Sequence, residues 1–141
     1  MIISVFTEKY RNIQRKLITA TVVESTNGVV PVKAQWDTGA TATCISKKLV
    51  EKLNLLPTGK VRVSTPSGTG IMNKYIINLI LNNEVRIQNL IVMDSEIGNQ
   101  GIDVLIGMDI ISIGDFAVSN YNGKTQFSFR LPSQEHIEFR R

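Results

Sequence analysis

The chain has 141 residues with 43% hydrophobic and 20% charged side chains, the composition of one ordinary globular domain and too short for two of usual size. Its single cysteine excludes an internal disulfide and any cysteine-rich zinc or iron–sulfur site, and its single histidine excludes a histidine-cluster metal site. Basic residues exceed acidic ones by 16 to 12, for a formal charge of +4. Tyr10 is the only aromatic among the N-terminal cations Lys9, Arg11, Arg15 and Lys16, so the interleaved rings and charge of a nucleic-acid surface are missing and a solvated basic face is expected.

The hydrophobic pattern favours short strands separated by turn chemistry. Lys16 to Val23 is rich in β-branched residues, Asn27-Gly28 is a hairpin signal, and Val29 to Trp36 reads as the returning strand, with Pro31 at an edge or strand start. Ala42 to Ile45 is strand-like. Ser46 can cap a helix whose apolar face is Leu49, Val50 and Leu53 and which Asn54 and Pro57 stop. Lys60 to Thr65 alternates like a strand, Pro66 to Gly70 reads as a turn, and Ile71 to Leu81 follows as a strand. Asn82-Asn83 turns the chain back through Val85 to Met93. Asp94 to Gly101 is a polar loop, Ile102 to Ile106 a short apolar strand, and Met108 to Ile113 a short helix ended by Gly114. A third hairpin runs from Phe116 through Asn122-Gly123 to Leu131. With no linker or repeat, the pattern is that of one all-β domain with one or two short helices.

The chemistry concentrates at Ala34-Gln35-Trp36-Asp37-Thr38-Gly39-Ala40. Apolar residues on both sides pull Asp37 towards the core, where an ionised carboxylate is costly. Gly39 permits a tight turn, and the Thr38 hydroxyl can tie the loop to neighbouring backbone. The product is a rigid, partly buried carboxylate, suited to acid/base work beside a second one. Two carboxyls held close cannot both ionise, so such a pair can take a proton from water while giving one to a carbonyl oxygen. Leu105-Ile106-Gly107, two apolar residues and a glycine closing a short strand, stands downstream.

On Asp37-Thr38-Gly39-Ala40 and Leu105-Ile106-Gly107 the sequence resembles the retropepsin-like aspartic peptidases, the single-domain family of retroviral proteases and their cellular and bacterial relatives. The resemblance implies a closed β-barrel in which the two segments cross to fix the catalytic Asp. It implies Asp37, Thr38 and Gly39 as catalytic residues, and Ala40 with Gly68, Thr69 and Gly70 of a flap hairpin at the substrate. One such triplet per short chain implies a homodimer, with Asp37 of each copy at the two-fold axis, acting on peptides without metal or organic cofactor. Retroviral members place an Asp after this tetrapeptide and an Arg after the downstream Gly, an ion pair supporting the dimer. Here those positions are Thr41 and Met108, closer to the cellular and bacterial branch. The resemblance spans about 16–131, leaving an N-terminal arm (1–15; a pro-segment, an extra strand or a disordered arm) and a C-terminal tail (132–141).

Other residues read more plainly. Cys44 with His136 could form a nucleophile and base, but the apolar neighbours of Cys44 favour a buried, inert thiol. Asp94, Glu96, Asp103, Asp109 and Asp115 lack the alternation of a calcium loop and read as loop charge or helix capping, with Asp109 near a helix start. Trp36 reads as core. The apolar stretch Ile2 to Phe6 is too short for a secretory leader, and no apolar run approaches the roughly 20 residues that span a bilayer, so a cytoplasmic protein without a membrane partner is expected. Fold alone does not fix activity, and a non-catalytic dimerisation or peptide-binding module of the same fold is the alternative.

Overall fold

The computed structural model describes residues 2–141. Strands β2 (Leu17–Ser25) and β3 (Gly28–Trp36) form the first hairpin, from Leu17 opposite Trp36 to Ser25 opposite Gly28. The turn falls one residue earlier than the Asn-Gly signal suggests, at Thr26-Asn27, where the Asn27 amide donates to Leu53 O (3.1 Å) and Asn54 O (3.2 Å) at the end of the first helix. Thr19, Thr21 and Val23 of β2 and Val30, Ala34 and Trp36 of β3 are buried, the period-2 pattern of a sheet with one face inward. The buried hydroxyls are satisfied: Thr21 Oγ1 donates to Ile80 O at 2.7 Å, and Thr19 Oγ1 accepts from Trp36 Nε1 at 3.0 Å.

The chain continues through β4 (Cys44–Ser46), α1 (Lys47–Lys52), β5 (Gly59–Thr65), β6 (Gly68–Ile80), β7 (Arg86–Ser95), β8 (Val104–Ile106) and α2 (Met108–Ile111). The strand order is β2-β3-β8-β4-β7-β6-β5, and β2 also pairs with β6 at Val22 opposite Ile80. That second pairing closes β2, β3, β8, β4, β7 and β6 into a barrel, with β5 attached to β6 from outside. The closed, mainly β architecture with two short helices is the one expected from the sequence. Closure also pairs strand edges that would otherwise invite association. Pro31 sits on β3 outside the Ala34–Trp36 stretch that pairs with β8, so its missing donor interrupts no ladder on that side. Ser46 Oγ accepts from Leu49 N–H at 3.1 Å and caps α1, as its place in the sequence suggests.

After the barrel, β9 (Asp115–Ser119) and β10 (Gln126–Leu131) join β1 (Ser4–Lys9) in a separate antiparallel sheet of order β1-β10-β9. Most of the N-terminal arm is therefore an added strand and its continuation. The sheet is fixed to the barrel by rings: Trp36 stacks on Phe116 (5.8 Å, 8°) and meets Phe6, Phe127 and Phe129 at 5.7, 5.4 and 5.1 Å. Such aromatic contacts add about 0.5–1.5 kcal/mol per pair beyond the area they bury. Gly114 enters this sheet where a Cβ would collide with Arg130 O, so no other residue fits without moving backbone.

Candidate active site

β8 has different partners on its two sides. β3 runs parallel to it, with Trp36 opposite Ile106, and β4 runs antiparallel, with Cys44 opposite Leu105. The chain thus leaves β3 at Trp36, crosses the C-terminal end of β8, and returns on the far side at Cys44. Asp37 to Thr43 is that crossing. Asp37 N–H donates to Ile106 O at 2.8 Å, and Met108 N–H donates to Ala40 O at 2.7 Å. A Cβ at Gly107 would sit 2.8 Å from Ala40 O and from Ala42 C. The apolar-apolar-Gly segment ends in glycine because two backbones touch there.

Within the crossing, Asp37 Oδ1 accepts from Gly39 N–H at 2.8 Å and Asp37 O accepts from Ala40 N–H at 3.2 Å, an Asp-initiated turn that fixes the carboxyl relative to the backbone. Asp37 is half-buried, while Thr38 and Gly39 are exposed. Below it, Trp36 is anchored in the ring cluster. Among the described residues the Thr38 hydroxyl, expected to tie the loop to neighbouring backbone, has no hydrogen-bond partner within the chain. Asp37, Thr38, Gly39 and Ala40 are thereby brought together with Ile106 and Gly107.

Gly68, Thr69 and Gly70 lie on another element, the β5–β6 hairpin. Its ladder extends to Thr65 opposite Gly68, with Ser64 opposite Thr69 and Val63 opposite Gly70. The turn is only Pro66-Ser67, and the residues read as a longer turn are the first of β6. Period-2 pairing continues through small residues here because neither Gly70 nor Thr69 lacks the N–H that a ladder needs. Gly68, at φ +128°, takes a conformation that side chains rarely adopt.

Several aspartates read as loop charge are clasps instead. Thr43 is completely buried, its N–H donates to Asp109 Oδ2 at 3.0 Å and its hydroxyl to Asp109 Oδ1 at 2.7 Å. Asp103 Oδ1 accepts from Ser46 Oγ at 2.7 Å, and Asp103 backbone bonds to Lys33 and Ser46 pin β8 between its neighbours. Asp115 accepts from the Gln134 backbone, the Ser133 hydroxyl and Arg130, in that order of influence, and these hold its carboxyl well below the usual range. The pairs are far apart in sequence, and only a polar residue inside an apolar stretch, Thr43, hinted at one of them. Cys44 is half-buried, and burial, with the nearby Asp109 and Asp94 carboxylates, pushes its thiol above the ordinary value, in line with the inert reading.

A closed barrel in which an Asp-Thr-Gly loop crosses a strand ending in Gly defines the retropepsin-like aspartic proteases. Residues 18–110 match the family model described as aspartyl protease, and the chain belongs to that family. In fold it is similar to a retropepsin-like aspartic protease from Rickettsia conorii, at 15% identity and TM-score 0.57 over 92% of this chain and 96% of that one. It is also similar to the EIAV protease in complex with the inhibitor HBY-793, at 15% identity and TM-score 0.52 over 72% of this chain and 89% of that one. At such identities the likeness is one of fold. No curated protein matches the chain in sequence.

Proposed function

We propose that the protein is a homodimeric aspartic endopeptidase whose active site is completed by Asp37 from each of two copies. The observation that carries the reading is the half-buried Asp37 carboxyl, locked to its own loop, beside the exposed Thr38 and Gly39. Among the described residues no carboxyl of the same chain is bonded to Asp37: Asp109 is held at the far end of the loop by Thr43, Asp103 by Ser46 and Asp115 by Arg130. A two-fold axis beside Thr38 supplies the missing carboxyl and gives the two unpartnered Thr38 hydroxyls each other's loop to brace.

One Asp37 carboxylate takes a proton from water as the water oxygen bonds to the scissile carbonyl carbon. The other, protonated, gives its proton to the carbonyl oxygen. In the collapse of the tetrahedral gem-diol, the carboxyl that took the water's proton gives it to the nitrogen as the C–N bond breaks, and the other carboxylate takes a proton from a gem-diol hydroxyl, restoring the starting pair. Substrate lies extended across Ala40, under the β5–β6 hairpins of the two copies, where Gly68, Thr69 and Gly70 offer backbone groups without bulky side chains. The test is cleavage of a diverse peptide library by the wild-type chain and by Asp37→Asn, with association state measured for both. Cleavage lost in a variant that still dimerises supports the peptidase. A wild-type dimer that cleaves nothing supports a binding or dimerisation module instead.

A further inference from the structure

The flanks of the Asp37 crossing carry no charge pair, since Thr41 and Met108 are neutral, yet the crossing is tightly held at both ends. Its first end is fixed by a backbone bond, Asp37 N–H to Ile106 O. Its last end is fixed by a side chain. Thr43 Oγ1 accepts from Gly107 N–H at 3.2 Å and donates to Asp109 Oδ1 at 2.7 Å, while Thr43 N–H donates to Asp109 Oδ2 at 3.0 Å. Asp109 Oδ1 also accepts from Ile110 N–H at 3.0 Å. One carboxylate therefore gathers three donors, two from the end of the Asp37 loop and one from the start of α2.

Resting on the peptidase reading, we propose that Thr43 and Asp109 are a positioning clamp for catalysis, setting the place of the Asp37 carboxyl through the loop between them. The geometry leaves few other ways to hold it. Between Asp37 and Thr43 the loop meets β8 and α2 through Ala40 O, which accepts from Met108 N–H, and through the backbone contact at Gly107. These contacts and the Asp37 N–H to Ile106 O bond at the first end restrain a slide of the loop along β8 less than a two-point clamp at its last end does. The bidentate Thr43–Asp109 contact resists it. A charged acceptor makes stronger bonds than a neutral one, and with Thr43 completely buried, no water stands ready to replace it. Reaction rate is far more sensitive than folding to such a slide, since a displacement of about 1 Å costs on the order of 100-fold.

The test compares Thr43→Val, which keeps the shape and removes the hydroxyl, with Thr43→Ser, which restores it. Peptide cleavage and residue-resolved amide exchange are measured on the full-length chain. The clamp predicts that Thr43→Val lowers kcat at least about tenfold with KM within about twofold, speeds exchange at Gly107 and Met108, and leaves β2 and β3 amides protected, while Thr43→Ser recovers both readouts. Unchanged kcat and unchanged exchange at Met108 overturn it, as does loss of protection throughout the barrel, which would make the pair a fold element only. If Thr43→Val does not fold, Asp109→Asn, which keeps the size but cannot accept both Thr43 bonds, is read in the same way. Failure of the peptidase reading is separable: a wild type without cleavage removes that reading, whereas the exchange arm still decides whether the pair holds the loop.

Discussion

The Asp37 crossing and the β5–β6 hairpin belong to one barrel but are built by opposite means. At the crossing, backbone touches backbone, a charged side chain closes the far end, and Trp36 below is packed on four aromatic rings. The hairpin is a two-strand ribbon whose outer strand pairs with β6 alone and whose tip carries exposed residues and a glycine at φ +128°. On the proposed function, rigidity falls where a carboxyl must be aimed, and the exposed ribbon supplies the part expected to bend about its base. Binding of an extended chain, as proposed, would use both: a fixed floor and a roof that opens.

The largest expected effect breaks the floor. Gly107→Ala puts a methyl against two backbone segments, with Ala40 O and Ala42 C both 2.8 Å away, and is expected to cost at least about 1–3 kcal/mol of unfolding free energy and to abolish cleavage; chemical denaturation measures the first. Gly39→Ala sharpens the contrast. Its methyl would meet Asp37 Oδ1 at 3.1 Å, so the carboxyl must give way by a few tenths of an ångström while the exposed site loses little stability: kcat should drop at least about tenfold with a folding change below about 1 kcal/mol.

Gly68→Ala tests the roof, where nothing lies within 4 Å of the added methyl but the backbone conformation is strained. It should cost about 1–3 kcal/mol locally, appear as faster amide exchange confined to β5 and the start of β6, and raise KM more than it lowers kcat. The smallest effect reports on Cys44, beside the floor. Its raised thiol pKa leaves less thiolate at a given pH than a free cysteine has, so alkylation should be slow near neutrality and should accelerate only above the ordinary value of 9.0. The neutral thiol's contribution to stability is intact below that value and lost as pH rises through the higher folded one. Fast alkylation at neutral pH would mean that the crossing opens.

Much of this was legible in the residues. β-Branched runs bounded by Gly, Asn and Pro located most strands, and Ser46 with Leu49 and Leu53 located α1, because these signals are local. Asp37-Thr38-Gly39 with Ile106-Gly107 located the crossing, because close backbone contact demands glycine at a fixed place. What could not be read is pairing across the chain. Nothing near Ser4 says that it will lie opposite Leu131, and nothing near Thr43 says that Asp109 will meet it. The turn at Pro66 was read too long because Gly68 and Gly70 are turn formers by composition, yet each retains the N–H a ladder uses. In the proposed dimer the Thr38 hydroxyl would find its partner in the loop of the second copy.

The central claim, one active site from two chains, is tested most directly by mixing. Wild-type and Asp37→Asn chains are combined at constant total concentration, allowed to exchange subunits, and assayed for peptide cleavage as the wild-type fraction is varied. If two Asp37 carboxyls are needed, activity follows the square of that fraction and an equal mixture retains about one quarter of the full rate. Activity that falls in simple proportion, leaving about one half, would contradict the account, because each chain would then be working alone.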